Sequence, residues 1–206
     1  MTGPVPGPVT DAVGPDKLFA YPETLPLTPN YPMPTPPDNP AGPLPPTPPY
    51  SDAHKDTLVE AIRVAPSQLR EAIGGLSDAQ LDQRYKNWTI RQITHHLADS
   101  HAHVYIRFKW TLTEDTPTIK AYEEADWVEL ADSKLGDPAP ALALFEALHA
   151  KWVQLLETMS EADFARSFHH PQSGKTVSLW TALNYYPWHA RHHTAQIQWL
   201  REQHGW

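Results

Sequence analysis

Apolar residues recur every three to four positions in four long stretches of the chain, which predicts four amphipathic helices. These stretches cover about 52–73, 89–112, 138–159 and 178–203. Strand-like alternation is almost absent and no segment repeats. In the connections we expect a short helix near 123–130 and a hairpin within 160–177. The pattern therefore predicts an all-α fold, a four-helix bundle.

Local signals mark where three of these helices are expected to begin or break. Thr89 and Gln92 have the spacing of a capping box, in which each side chain accepts a hydrogen bond from the other residue's backbone N–H. Pro66 is expected to interrupt the first helix, and Pro187 to kink or start the fourth. Proline lacks a backbone donor and clashes with the carbonyl one turn back.

The first fifty residues differ in composition from the rest of the chain. They hold seventeen of the 23 prolines and none of the 12 histidines. Because proline restricts φ and removes backbone donors, we expect an extended, proline-rich N-terminal arm. Three alternatives stay open. The segment is an unattached, disordered tail, or a proline-rich ligand for a partner module, which the lack of flanking basic residues disfavours, or an arm that docks on the bundle or on a second subunit through Phe19, Tyr21, Tyr31 and Tyr50.

Composition excludes several classes of function. The 16 Lys and Arg residues are outnumbered by 24 Asp and Glu residues, which argues against a nucleic-acid groove. The absence of cysteine excludes disulfides, thiolate metal sites and a cysteine nucleophile. No apolar run approaches a membrane span, and the N-terminus lacks the features of a secretory signal. We therefore expect a soluble, cytoplasmic protein without nucleic-acid or membrane partners.

The histidines fall on particular helix faces. At 100° per residue, His96 lies on the shoulder of the apolar stripe of the second helix, followed by Ser100 and His103. On the fourth helix, His193 lies within the stripe and His189 on its edge. These two residues form an inward-facing i,i+4 pair, and one histidine from a facing helix would complete a three-histidine site.

Three neutral imidazoles suit zinc, nickel or another borderline divalent ion and leave coordination positions open. Such a site can activate water at neutral pH. From the reference histidine pKa, we expect release of the metal as the pH falls through about 6. Ala190 follows His189, so the zinc-protease motif is absent. The spacing leaves open that these histidines are hydrogen-bonded core residues. His95 and His192 are expected to point outward, and His101 inward.

The stretch from Trp88 to His101, WTIRQITHHLADSH, resembles the signature of the YfiT-like metal-dependent hydrolases of the DinB superfamily. Trp188-His189 and His192-His193 continue the likeness. The resemblance covers about residues 39–206, which we predict to form the bundle domain. Residues 1–38 have no counterpart and form the predicted proline-rich extension.

The resemblance implies a DinB-type bundle, usually dimeric, with one divalent metal per subunit, zinc in the first place and nickel as the alternative. The family's ligand pattern maps onto His96, His189 and His193. The implied function is metal-dependent hydrolysis of a small-molecule substrate by activated water. One alternative is transfer of a low-molecular-weight thiol cosubstrate of the bacillithiol type. The second is a non-catalytic, metal-stabilised bundle.

Other polar residues are candidates for secondary roles. Asp99 has the position to orient a ligand imidazole or to act as a catalytic base, or else to pair with His95 on the surface. Ser100, His103 and Tyr186 are candidates to line a substrate pocket.

Three cationic residues, Arg91, Arg107 and Lys109, are candidates to bind an anionic substrate group, although such side chains more often form surface ion pairs. Gln196 stands where the family commonly has a histidine in its last helix.

Overall fold

Helices dominate the part of the chain that the structure, a computed structural model, describes: Gly3 and residues 34–206. The elements in chain order are α1 (Asp52–Ile73), α2 (Asp78–Leu81), β1 (Arg84–Tyr85), β2 (Trp88–Thr89), α3 (Ile90–Thr113), α4 (Glu124–Trp127), α5 (Ala131–Leu135), α6 (Pro138–Thr158), α7 (Glu161–Ala165), β3 (Ser167–His170), β4 (Lys175–Ser178) and α8 (Leu179–His204). The long helices α1, α3, α6 and α8 confirm the predicted all-α four-helix bundle. None of the described helices has the length and apolarity needed to cross a membrane.

The capping box predicted at the start of α3 is present. The Thr89 hydroxyl accepts a hydrogen bond from the Gln92 backbone N–H at 3.1 Å, and the Gln92 side-chain oxygen accepts one from the Thr89 N–H at 3.0 Å. The Gln92 side chain also donates to the Val128 carbonyl at 2.9 Å, which ties the connection after α4 to this helix. The start of α3, and therefore the register of its histidines, is fixed by these bonds.

The two long helices that contain a proline beyond their first turn, α1 and α8, continue through it. The prediction that Pro66 interrupts α1 is wrong, because the helix is continuous and Pro66 is itself buried. Likewise α8 begins at Leu179 and not at Pro187. Each proline forfeits one backbone hydrogen bond, and the packing of the apolar faces on either side outweighs that loss.

Small elements complete the connections. The predicted hairpin is confirmed as β3 and β4, which pair antiparallel with Ser167 opposite Ser178. The sequence patterns did not predict α2, α5, α7 or the two-residue pair β1–β2, in which Arg84 faces Thr89. Such short elements hold too few residues to show a period.

The hydrophobic core consists of two clusters, one around Phe108 and Trp152 and the other around Ile93 and Phe145. His101 contacts both, since its ring centroid lies 4.9 Å from that of Phe145 and 6.2 Å from that of Trp152. The buried polar centre of the bundle therefore lies between the two clusters.

Residues 34–50 lie along the bundle. The Trp180 indole N–H donates to the Pro48 carbonyl at 2.7 Å, and that of Trp188 donates to the Gly42 carbonyl at 3.0 Å. Tyr50 packs its ring 4.9 Å from that of Trp180. Docking through an aromatic anchor is thus confirmed for Tyr50. The other proposed anchors lie outside the described residues: Phe19, Tyr21 and Tyr31. The domain boundary between residues 38 and 39 stays a prediction.

Candidate metal centre

Three buried histidines converge at the centre of the bundle. His96 comes from α3, and His189 and His193 come from successive turns of α8. Their side-chain exposures are 3%, 6% and 8%. Each offers a ring nitrogen, and these nitrogens lie within 4.8 Å of one another. The structure therefore brings together the three residues proposed as metal ligands. No cysteine or carboxylate joins this group among the residues that the structure describes.

The spacing of the ring nitrogens fits a bound divalent ion. The Nε2 atoms of His96 and His189 are 3.2 Å apart. Two zinc–nitrogen bonds of about 2.0–2.1 Å at a tetrahedral angle would separate two nitrogens by about 3.3 Å. An all-imidazole donor set also matches the preference of zinc, nickel and similar ions.

A chain of imidazoles leads from His189 into the interior. The Nδ1 of His189 lies 3.3 Å from the Nε2 of His101, and the Nδ1 of His101 lies 2.9 Å from the Nε2 of His149. The Nδ1 of His149 then lies 2.6 Å from the backbone carbonyl of Ile62. A carbonyl can only accept, so His149 must donate from Nδ1 and, when neutral, accept at Nε2. His101 therefore donates from Nδ1 to His149 and accepts at Nε2 from the Nδ1–H of His189. The Nε2 of His189 is then unprotonated, as a metal ligand requires.

A second, separate contact sets the tautomer of His193. Its Nδ1 donates to the side-chain oxygen of Gln196 at 2.8 Å, so its Nε2 is also unprotonated. The amide nitrogen of Gln196 donates to the Nε2 of His192 at 3.0 Å. Gln196 therefore orients a ligand, and His192, which we expected to point outward, supports it. The Nδ1 of His96 has no hydrogen-bond partner in the described structure, and its ring packs 4.6 Å from that of Trp88.

Burial keeps these imidazoles neutral. Desolvation, followed by the charges of the neighbouring imidazoles, lowers the pKa of His96 and His189 well below the usual value of 6.5. Desolvation lowers the pKa of His193 to about 4 despite its hydrogen bond to Gln196. Protons therefore compete with the metal only at lower pH than expected from the reference pKa. We now expect release of the metal at a lower pH than the value of about 6 that the reference histidine pKa predicts.

The metal-free protein should lose stability as the pH falls from about 6.5 to 4. Unfolded histidines bind protons below about 6.5, whereas folded His149 and His193 resist protonation until about 4. Their stabilising contribution is thus complete above pH 6.5 and disappears toward pH 4. Asp99, whose pKa burial raises to about 6, contributes in the opposite direction, but the buried histidines outnumber it. Urea denaturation of chelator-treated protein at half-unit pH steps measures the slope, and constant stability between pH 6.5 and 4.5 would contradict this.

A cavity of about 330 Å³ adjoins one of the three histidines, His189. His189 forms part of its wall, together with Ser100 and Tyr186, two of the proposed pocket residues. The third, His103, lies behind the wall: it stacks on Tyr122, which lines the cavity, with ring centroids 4.1 Å apart. Roles for these residues in substrate binding stay predictions.

Asp99 and His95, both on α3, do not have the surroundings expected from the sequence. Asp99 belongs neither to the histidine cluster nor to the cavity wall, and it lies close enough to Asp132 of α5 for that charge to raise its pKa. Its assignment as a catalytic base remains a prediction. His95, expected to face solvent, is 9% exposed, and that expectation is wrong. The connection that contains α4 and α5 covers this side of α3, which angles on a single helix cannot show.

No role for His149 was predicted from the sequence, and His101 was predicted only to lie inside the apolar stripe. Their positions on the core faces of α6 and α3 carried the only available signal. Nothing in one-dimensional spacing indicates that these two rings contact each other, since 48 residues separate them.

Comparison with known proteins agrees with the four-helix bundle fold. Residues 61–197 match the family model of the DinB superfamily. The chain is 44% identical over 158 residues to the Bacillus subtilis protein named "Putative metal-dependent hydrolase YfiT", covering 76% of this chain and 89% of that protein. A Bacillus mycoides protein that is also named a "Putative metal-dependent hydrolase" is 46% identical over 153 residues, which cover 73% of this chain and 87% of that protein.

Solved structures show the same relationship. The structure of YfiT from Bacillus subtilis, described as having an unusual four-helix bundle topology, superposes with a TM-score of 0.79 at 43% identity. The match covers 82% of this chain and 97% of that one. A mycothiol-dependent maleylpyruvate isomerase shares the fold alone, with a TM-score of 0.57 at 18% identity over 69% of this chain and 60% of that one. The chain belongs to the DinB superfamily, within its YfiT-like branch.

Proposed function

We propose that the protein is a metal-dependent hydrolase of a small substrate, with one divalent ion held by His96, His189 and His193. The observation that carries this proposal is the convergence of three neutral imidazoles beside a cavity. When bound, such an ion lowers the pKa of a coordinated water and supplies a nucleophile at neutral pH. The names of the YfiT-like relatives support the same activity.

The residues of the chain prepare the site in two ways. His101 and Gln196 hold the rings of His189 and His193 in the ligand tautomer before any ion arrives. In the cavity wall, burial raises the pKa of Tyr186, so its hydroxyl stays protonated. A protonated phenol beside the reacting bond can donate a hydrogen bond to negative charge that develops on the substrate.

A specific observation favours thiol transfer as the second candidate. A separate cavity of about 290 Å³ is lined by His193, Trp88 and Gln196, whereas the larger cavity is lined by His189. Two cavities that reach different ligands of one centre suit a reaction with two substrates. Because the chain has no cysteine, the thiol would arrive as a low-molecular-weight cosubstrate.

The identity of the metal, the oligomeric state and the location in the cell stay proposals. Zinc is the first candidate for the ion and nickel the second, because imidazole ligands suit both. A homodimer is proposed from the resemblance to the family, and a cytoplasmic location from the composition of the sequence.

The test compares chelator-treated protein with protein reloaded with zinc or nickel. Both are assayed on ester, amide and phosphoester substrates, without and with a small thiol. Hydrolysis that follows metal content and needs no thiol supports the proposal, and turnover only with thiol supports the second candidate. If the metal only raises thermal stability and no reaction depends on it, the non-catalytic bundle is correct and the proposal fails.

A further inference from the structure

Arg107 is buried in the wall of the 330 Å³ cavity without a partner. The residue is 8% exposed, and its Nε has no hydrogen-bond partner. Among the residues that the structure describes, no carboxylate forms an ion pair with it. A buried guanidinium is costly unless something compensates its charge, and arginine is rarely buried unpaired.

The same helix provides a comparison. Arg91, at 5% exposure, is as deeply buried as Arg107. It is fully partnered, however, with Asp82 at 3.0 Å, Asp78 at 3.1 Å and the Gly136 carbonyl at 2.8 Å. This chain therefore surrounds a structural buried arginine with acceptors. Among residues 34–206 no side-chain acceptor contacts the Arg107 guanidinium, which points to a partner from outside this part of the chain.

Two further unpartnered polar atoms lie in the same wall. The hydroxyl of Tyr122 and the Nδ1 of His170 are buried, lack hydrogen-bond partners and line the cavity together with Arg107. Glu124 also lines it but is exposed. Several hydrogen-bond donors around one guanidinium match a group with two or three anionic oxygens.

The position of Arg107 relates this group to the metal centre. Arg107 follows His96 by 11 residues, so it lies on the same face of α3, about 20° away and about 16 Å along the axis. Its side chain leans toward the helix N-terminus, which is the direction of His96. His189 lines the same cavity, so one small molecule can span from Arg107 to the ligand cluster.

We propose that this cavity binds a small organic anion, whose carboxylate or phosphate group is held by Arg107 with Tyr122 and His170, while its reactive bond faces the three-histidine cluster. The inference rests on the proposed function and names its substrate class. The cavity volume lies near the lower end for small-molecule sites, which suits a compact molecule.

The experiment follows the side-chain Nε–H signal of Arg107 by NMR during titration with propionate, methyl phosphate and the neutral amide propionamide. The probes are added to both metal-loaded and metal-free protein. Arg107→Met removes the charge at similar length. Lys109, which the sequence also offered as a group to bind an anion, is exposed and does not line this cavity, so Lys109→Met removes an equal charge two residues away and serves as the matched control.

We expect the anions to bind and the amide not to bind. Arg107→Met should weaken anion binding by about 10- to 100-fold, the range of a charge-assisted hydrogen-bonded contact, and Lys109→Met should not change it. The stronger of the two anion titrations assigns the group as carboxylate or phosphate. Because Arg107 has no internal partner, Arg107→Met should keep or raise the melting temperature.

Equal affinity of the amide, equal affinity of Arg107→Met, or failure of Arg107→Met to fold would each overturn the proposal. The last result would make Arg107 a structural residue. Anion binding by metal-free protein that never acquires a metal would keep this subsite and refute the hydrolase proposal. A bound metal without anion binding would refute this subsite and keep the hydrolase proposal.

Discussion

Replacing His189 by alanine removes the bound divalent ion and leaves the bundle folded. His189 is one of the three histidines proposed as metal ligands, and its loss also leaves the Nε2 of His101 without the donor from which it accepts. We expect metal affinity to fall by more than the roughly 100-fold that changes in outer-shell partners cost. Metal-dependent turnover should fall to the level of the chelated protein. Calorimetric titration of metal-free protein with zinc measures the affinity.

His204→Ala is the matched control for this change. It removes an exposed histidine from the end of the same helix, so the number of imidazoles falls equally while the cluster stays intact. Its metal affinity should equal that of the native chain. Comparable affinity of the two variants would show that the ion is held elsewhere.

Replacing His149 by leucine weakens metal binding although His149 is not a ligand. The change leaves the buried Nδ1–H of His101 without an acceptor, which costs about 1–3 kcal/mol of stability. It also frees His101 to adopt the other tautomer, in which its Nε2 no longer accepts from His189. We expect a 10- to 100-fold loss of metal affinity, the usual effect of a lost orienting partner.

Phe145→Leu distinguishes this effect from general loosening of the core. Phe145 is fully buried one turn earlier on α6, and its ring centroid lies 4.0 Å from that of His149. This variant should lose about 1 kcal/mol or more of stability and keep native metal affinity. If both variants lose affinity in proportion to their stability, the imidazole chain does not set the tautomer of His189.

The 3.6-residue period predicted the four helices and the inward-facing pair His189 and His193, whereas the resemblance to the family selected His96 as the third proposed ligand. An i,i+4 pair such as His189 and His193 shares one face wherever the helix lies. The capping box at Thr89 and Gln92 likewise requires only local spacing.

The remaining features depend on how distant segments meet. His95 has an outward angle on α3, yet α5 covers it, and no periodicity in α3 contains that information. The contact between His101 and His149 joins two helices that are distant in the sequence. Whether the Arg107 guanidinium has a hydrogen-bond partner among the described residues depends on the three-dimensional positions of all its neighbours. Pro66 shows the converse, since packing retains a helix that local chemistry would break.

The metal content of the native protein shows whether His96, His189 and His193 hold a divalent ion. Mass spectrometry of the purified chain, before and after a chelator wash and reloading with zinc or nickel, gives the number of ions per chain. We predict about one ion per native chain and none in His96→Ala. A native chain that binds no ion even after zinc and nickel are offered, or a His96→Ala chain that keeps its ion, would contradict the three-histidine centre.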